Sequence, residues 1–231
     1  MPRTSRIAIG GEVYHVINRA NGRLTIFNTK EDYQLFEQLL LETKELLDMR
    51  ILAYVIMPNH WHLVLHPRND GDLTAFMQRV SNSHTRKVHS LTKTNGSGHL
   101  FQGRYKSFLV ESNEYLMTLI KYVERNPIRA KLVQKCEDWQ WGSAYKRLRG
   151  TGKEKLLIDV PPTDVPTHYS VWINTTEDEK VVNSIRASVV KGVPYGRENW
   201  IDKMVAIHKL ESTTRSPGRP RKIRYITTHI L

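Results

Sequence analysis

The chain has 231 residues, 39% of them hydrophobic, and a single cysteine, Cys136. That length leaves room for one large domain or for a domain with an appendage, while the lone thiol excludes an internal disulfide and suits a reducing, cytoplasmic setting. Lys+Arg number 35 against 23 Asp+Glu, a formal net charge of +12, which favours a polyanionic partner, nucleic acid before anionic membrane. There is no apolar run long enough to span a bilayer and no apolar signal region after Met1, so no membrane role is expected.

Residues 1–11 carry Arg3 and Arg6 and read either as a basic arm or as a frayed terminus. Glu12–Asn18 alternates as a strand does, with Tyr14 and Val16 on one face. Arg19-Ala20-Asn21-Gly22-Arg23 follows as a basic turn around Asn-Gly. It is either a plain surface loop or one whose Arg19 and Arg23 help hold DNA. Thr29–Asp48 reads as a helix, with Thr29 as N-cap, Glu31 and Asp32 in the first turn, and a core stripe of Tyr33, Phe36, Leu39, Leu40 and Leu47.

Tyr54–Leu65 is the stretch around which the rest is organised. Two apolar runs flank Pro58-Asn59, a turn-favouring pair, so strands Arg50–Met57 and His60–Leu65 should form a hairpin. Strand alternation puts His60 and His62 on one face and Trp61, Leu63 and Leu65 on the other. Two imidazoles so placed can converge on one divalent metal, although His-x-His also occurs in strands as ordinary half-buried polar positions.

Leu73–Val88 looks helical, with Leu73, Phe76, Met77 and Val80 on one side. From Leu73 to Val110 there is no Asp or Glu, but there are six basic residues: Arg79, Arg86, Lys87, Lys93, Arg104 and Lys106. Solvated faces normally mix signs, so this stretch favours nucleic-acid binding. Lys93–His99 reads as a flexible loop. Phe101 and Tyr105 either stack on unpaired bases or enter the core. Ser107–Val110 is the last expected strand.

Ser112-Asn113-Glu114 makes a fair helix start for Tyr115–Arg129, with Leu116, Leu119, Ile120 and Val123 at helical spacing and Pro127 as the stop. Tyr122 and Asn126 are four apart and so share a face. A phenol beside an amide oxygen, facing a histidine pair, is what metal-assisted transesterification at a phosphate needs. Trp139–Leu148 closes this region. Residues 149–166 hold Gly150, Gly152, Pro161, Pro162 and Pro166 and read as a linker. Beyond it, Thr176-Glu177-Asp178-Glu179 looks like a capping box for a helix whose stripe is Val181, Val182, Ile185, Val189 and Val190, ended by Gly192. A second helix is expected over Glu198–Leu210. The tail carries Arg219, Arg221 and Lys222, for which phosphate binding is the expectation.

Several segments, in order, resemble the single-tyrosine HUH transposases and, within them, the REP-associated tyrosine transposases. They are Tyr14-His15-Val16-Ile17-Asn18-Arg19; Tyr54-Val55-Ile56-Met57-Pro58-Asn59-His60-Trp61-His62-Leu63-Val64; Phe101-Gln102-Gly103-Arg104-Tyr105-Lys106; Tyr122-Val123-Glu124-Arg125-Asn126-Pro127-Ile128-Arg129-Ala130; and Trp139-Gln140-Trp141-Gly142-Ser143. The resemblance implies that His60 and His62 are metal ligands, that Asn126 is a further ligand through its amide oxygen, and that Tyr122 is the nucleophile. It also implies Mg²⁺ or Mn²⁺ as cofactor, single-stranded or hairpin DNA (REP-like palindromes among them) as partner, and a covalent 5′-phosphotyrosine intermediate.

The element order, strand, helix, strand, strand, helix, strand, is the split βαβ or ferredoxin-like arrangement. The expected fold is therefore α+β: a ferredoxin-like sheet with an added catalytic helix, a small C-terminal helical appendage and a basic tail. The expected organisation is a transposase domain over 1–148, a linker over 149–166, and the appendage with its DNA-binding tail over 167–231. Arg19, Arg23, Arg79, Arg86, Lys87, Arg104, Lys106, Arg219, Arg221 and Lys222 are the DNA-binding candidates. The rival readings are a non-catalytic, domesticated nucleic-acid-binding protein and a metal hydrolase that uses water.

Overall fold

Strand alternation decides the architecture. Val13–Arg19 (β1), Arg50–Met57 (β2), His60–His66 (β3) and Lys106–Val110 (β4) form one sheet in the order β2-β3-β1-β4, with every pairing antiparallel. Lys30–Leu47 (α1) and Asp72–Thr92 (α2) make the two crossovers, which is the ferredoxin-like order expected from the sequence. The structure is a computed structural model and describes residues 7–94, 96 and 98–215. Arg3 and Arg6 of the basic arm and Arg219, Arg221 and Lys222 of the tail lie outside the described residues.

The sheet has two unlike faces. Tyr14, Val16, Tyr54, Ile56, Trp61, Leu63 and Leu65 pack with Phe36 and Leu40 of α1 and Phe76, Met77 and Val80 of α2. The opposite face offers Val55, Val64 and Phe108 to Leu116, Leu119, Ile120 and Val123 of Glu114–Glu124 (α3). The β1/β3 register pairs Ile17 with His62 and Arg19 with His60. Slipping it by one residue would send both imidazoles into the aromatic core, so burial of that core fixes where they point.

Capping follows the sequence in places and departs from it in others. Thr29 and Asp32 form the reciprocal capping box of α1. Thr176 does not cap the later helix Glu179–Lys191. Asp178 does, accepting from the Lys180 amide. The expected helix Tyr115–Arg129 is broken: α3 stops at Glu124, Arg125 has φ −87 and ψ 0, and Asn126–Arg129 (α4) begins anew with Pro127 in its first turn. Proline lacks an amide hydrogen, which the first turn does not need, so Pro127 starts a helix here and ends none.

Ser143–Leu148 (α5), Tyr169–Asn174 (α6), Glu179–Lys191 (α7), Glu198–His208 (α8) and Glu211–Thr214 (α9) complete the helices. Residues 149–166 run along the sheet edge beside α1: the Asp159 amide donates to the Ile51 carbonyl, the Ile51 amide returns a bond to Asp159 Oδ2, and Lys44 pairs with the same carboxylate at 2.8 Å. Tyr195 bridges the free edge of β4, donating to the Leu109 carbonyl and accepting from the Glu111 amide. Val190 stays exposed and does not join Val182 and Ile185 in the core. Phe101 and Tyr105 are buried in the helical-side core, so they do not offer free faces to bases.

His84 is one of the buried groups on that side of the sheet that carry no hydrogen bond among the described residues. Both ring nitrogens of His84 lack a partner, and the ring stacks on Phe27 at 5.2 Å between centroids. Burial pushes its pKa down to about 3 from 6.5. The unfolded chain therefore takes up a proton that the folded chain refuses, and stability falls as pH drops from about 6.5 towards 3. His84→Phe should match or exceed wild-type stability at pH 7 and flatten that decline, as read from urea unfolding midpoints across the range.

Candidate active site

Three histidines line up on the sheet face that α3 covers. His62 Nδ1 lies 2.8 Å from His15 Nε2, the rings stacked with centroids 5.0 Å apart. His60 Nδ1 lies 2.6 Å from Asn59 Oδ1, and the His60 and His62 rings are 5.2 Å apart, nearly perpendicular. In both rings Nδ1 is engaged, so Nε2 is the nitrogen without a hydrogen-bond partner among the described residues. Burial drives all three imidazoles neutral: His62 far down, His60 to about 4 with Arg19 adding repulsion, and His15 to about 3. Neutral imidazole is the form that ligates.

The sequence reading gave His15 no role. It sits 47 positions from His62 in the chain, and only the β1/β3 register, which sets Ile17 against His62, brings it alongside. Its Nδ1 is buried without a partner. The Tyr-His start of β1 carried the resemblance but no chemical signal of its own.

Tyr122 stands over this row. Its ring is 6.1 Å from that of His62 and 6.5 Å from that of His15, edge-on to both. Tyr115, the other tyrosine of α3, instead packs edge-on against Tyr195 at 5.2 Å, away from the histidines. Asn126 lies beyond the helix break. Its Nδ2 donates to the carbonyls of Tyr122 and Val123 at 3.2 and 3.1 Å, which fixes the amide with Oδ1 as its uncommitted end. Arg129 places its guanidinium carbon 4.2 Å from the Tyr122 ring centre.

The cationic candidates divide between the two faces. Arg19 is paired with His60, and Lys106 with Ile17. Directly opposed residues share a face, so both lie on the histidine side. Arg23 is exposed at the 3-10 turn Asn21–Arg23. Arg79, Arg86 and Lys87 are exposed on α2, which packs on the other side. Arg86 and Arg104 line a groove of about 970 Å³ between α2 and residues 98–105, with Asn18, Gln78, Asn82 and Thr85 but no carboxylate in its lining.

Behind α3 a buried carboxylate fastens the helix. Glu124 accepts from Ser143 Oγ at 2.5 Å, from the Tyr169 hydroxyl at 2.6 Å, and pairs with Arg147 at 3.4 Å. Ser143 in turn bonds the backbone of Tyr54 in β2. The sequence had presented Glu124 only as a member of a motif.

Residues 11–126 match the family described as "Transposase IS200 like". Among curated proteins, the REP-associated tyrosine transposase of Escherichia coli strain K12 is 20% identical over 138 residues, 59% of this chain and 78% of that protein. A solved structure described as a REP-associated tyrosine transposase bound to a REP hairpin aligns with a TM-score of 0.54 at 20% identity, over 65% of this chain and 87% of that one. At this identity the structural likeness speaks for the fold. No helix among the described residues is long and apolar enough to cross a membrane.

The Glu124 cluster gives a direct test of how the site is held. Glu124→Ala strips Arg147 of its paired carboxylate and the Tyr169 hydroxyl of its acceptor, while Ser143 and Arg147 keep the Tyr54 and Leu52 carbonyls; it should destabilise the chain by about 3–5 kcal/mol. Tyr169→Phe, which removes one donor, should cost about 1–3 kcal/mol. Urea unfolding followed by tryptophan fluorescence measures both.

Proposed function

This chain belongs to the IS200-like transposase family, matched over residues 11–126, and on that premise we propose that it cuts and rejoins single-stranded or hairpin DNA through Tyr122. The observation that carries this reading is the row of neutral histidines beneath the Tyr122 ring, 6.1 Å from His62 to the phenol. The phenol oxygen attacks phosphorus, the new O–P bond forms as the bond to the 3′-oxygen breaks, and the 5′-phosphate stays on Tyr122. The phenol gives up its proton to solvent and the departing 3′-oxygen takes one. Rejoining runs the same exchange backwards with a 3′-hydroxyl as nucleophile.

The residues present fit a Mg²⁺ or Mn²⁺ ion. His60 and His62 offer Nε2 lone pairs, since Nδ1 of each is tied to Asn59 or His15, and Asn126 offers Oδ1. This is a mixed nitrogen and oxygen set without Cys, which suits these ions better than a closed zinc site. Among the described residues no group of three or more His, Cys, Asp or Glu is arranged to hold a metal ion, and we take the amide of Asn126, as the resemblance implies, for the third protein donor. A bound divalent ion would polarise the phosphate and offset charge on its oxygens. With the His62 proton on Nδ1, His15 Nε2 accepts it across 2.8 Å and leaves the Nε2 lone pair of His62 for a metal.

Two observations support DNA as the substrate. The chain carries a formal charge of +12, and the groove of about 970 Å³ beside α2 has Arg86 and Arg104 and no carboxylate in its lining. A related solved structure holds a REP hairpin, which makes a palindromic hairpin with a single-stranded flank the substrate to try first.

Incubating labelled hairpin DNA with protein and Mn²⁺, then resolving the mixture on a denaturing gel, tests the chemistry. A covalent adduct should form with wild type and Tyr115→Phe, and be absent with Tyr122→Phe and in excess chelator. Hairpin binding without any adduct would leave a non-catalytic DNA-binding protein. Titrating Mn²⁺ calorimetrically should show His15→Ala weakening the ion by about 10- to 100-fold with the fold intact by circular dichroism.

A further inference from the structure

The tyrosine segment is gripped from outside by the C-terminal part of the chain. Lys121, Arg125 and Arg129 recur every fourth residue, and each meets the stretch between Trp172 and Glu177. Lys121 Nζ donates to Thr175 Oγ1 at 2.5 Å and sits 5.3 Å from the Trp172 ring. Arg125 donates through Nη1 to the Ile173 carbonyl and through Nε to Glu177 Oε2, both at 3.1 Å. Arg129 Nη1 reaches the same Glu177 oxygen at 2.5 Å. The Glu177 side chain is only 9% exposed, so this shared contact is shielded from solvent.

Arg129 carries the grip to the nucleophile. Its Nη2 donates to the Tyr122 carbonyl, and its guanidinium carbon stands 4.2 Å from the Tyr122 ring centre. A guanidinium alone on a long side chain would lose this position to rotamer freedom. Glu177 fixes it. The need for an external clamp follows from the helix break: Tyr122 and Asn126 lie on either side of Arg125, whose φ and ψ of −87 and 0 interrupt the helix. Ordinary helical bonding therefore does not by itself set their relation.

We propose that Glu177 is a positioning residue for the Tyr122 nucleophile, acting through Arg129, so that the C-terminal segment sets the geometry of strand cleavage as well as adding charge. This rests on Tyr122 being the nucleophile. Displacement of a reacting group by about 1 Å costs on the order of 100-fold in rate, whereas DNA affinity depends on cations elsewhere on the surface. The two should separate on substitution.

The test uses full-length Glu177→Gln, Glu177→Ala, Glu177→Asp, Arg129→Ala and the Glu177→Ala/Arg129→Ala double variant. Single-turnover adduct formation at saturating hairpin DNA gives the rate, fluorescence anisotropy gives Kd, and ¹⁹F NMR of 3-fluorotyrosine at position 122 reports the ring's surroundings. Glu177→Ala should slow adduct formation about 10- to 100-fold with Kd changed less than about threefold, and should shift the ¹⁹F line. Glu177→Asp should regain part of the rate, and the double variant should be no slower than Arg129→Ala alone. Glu177→Gln keeps the shape and one acceptor, so it should shift the line even if Glu177→Ala fails to fold. A wild-type rate in Glu177→Ala or Glu177→Gln, or a double variant slowed by the product of the two single effects, would overturn the proposal. Should wild type form no adduct, the nucleophile reading fails by itself, and an unmoved ¹⁹F line in Glu177→Gln would refute the clamp separately.

Discussion

The constraint on which the rest depends is the two-residue period of β3. Trp61, Leu63 and Leu65 must be buried under α1 and α2, and that demand sends His60 and His62 to the opposite face. Once there, they meet whatever β1 presents in register, which is Arg19, Ile17 and, one pair further on, His15. The aromatic core and the candidate site are thus two consequences of one alternation. The residues that stabilise the sheet are not the ones that would do chemistry, yet they aim them.

The second level of control is polar and buried. Glu124 and Glu177 hold the tyrosine segment from two sides, the first through Ser143, Tyr169 and Arg147, the second through Arg125 and Arg129. Buried ion pairs contribute little net stability compared with apolar packing, because desolvation offsets much of the attraction. What they give is geometric definition, since each carboxylate oxygen accepts only along certain directions. A segment broken at Arg125 needs that definition more than a continuous helix would.

The elements legible in the sequence were those set by local rules. Alternation marked the strands within a residue or so, Thr29 marked the start of α1, and Pro58-Asn59 marked the hairpin turn. Spacing alone also put His60 beside His62 and offered Tyr122 with Asn126. What stayed hidden depends on contacts between distant segments. His15 gains its partner only through strand register, and Glu177 read as a mere intervening position of a Thr176–Glu179 capping box. Asp178 prevails, and Glu177 turns to two arginines 48 and 52 positions away. Pro127 was misread for a different reason: proline ends a helix when it follows one but is equally at home in a first turn. The break before it left no mark in the apolar pattern.

Burial also sets the protonation state of the site in advance. His15, His60 and His62 are covered by Phe108, Tyr122 and the neighbouring strands, and removal from water alone is the first cause of each lowered pKa. Near neutral pH these rings hold no charge that a cation would have to displace, so their lone pairs are available without a coupled proton loss. The same burial has a cost under acid, because the unfolded chain can protonate all three and the folded chain resists it. A row of buried imidazoles is therefore neutral near pH 7 and gives up stability below about pH 6.5, the ordinary value of free histidine. Arg19, opposite His60, and Arg129, near His62, push in the same direction, so these two cations also help keep the histidines neutral.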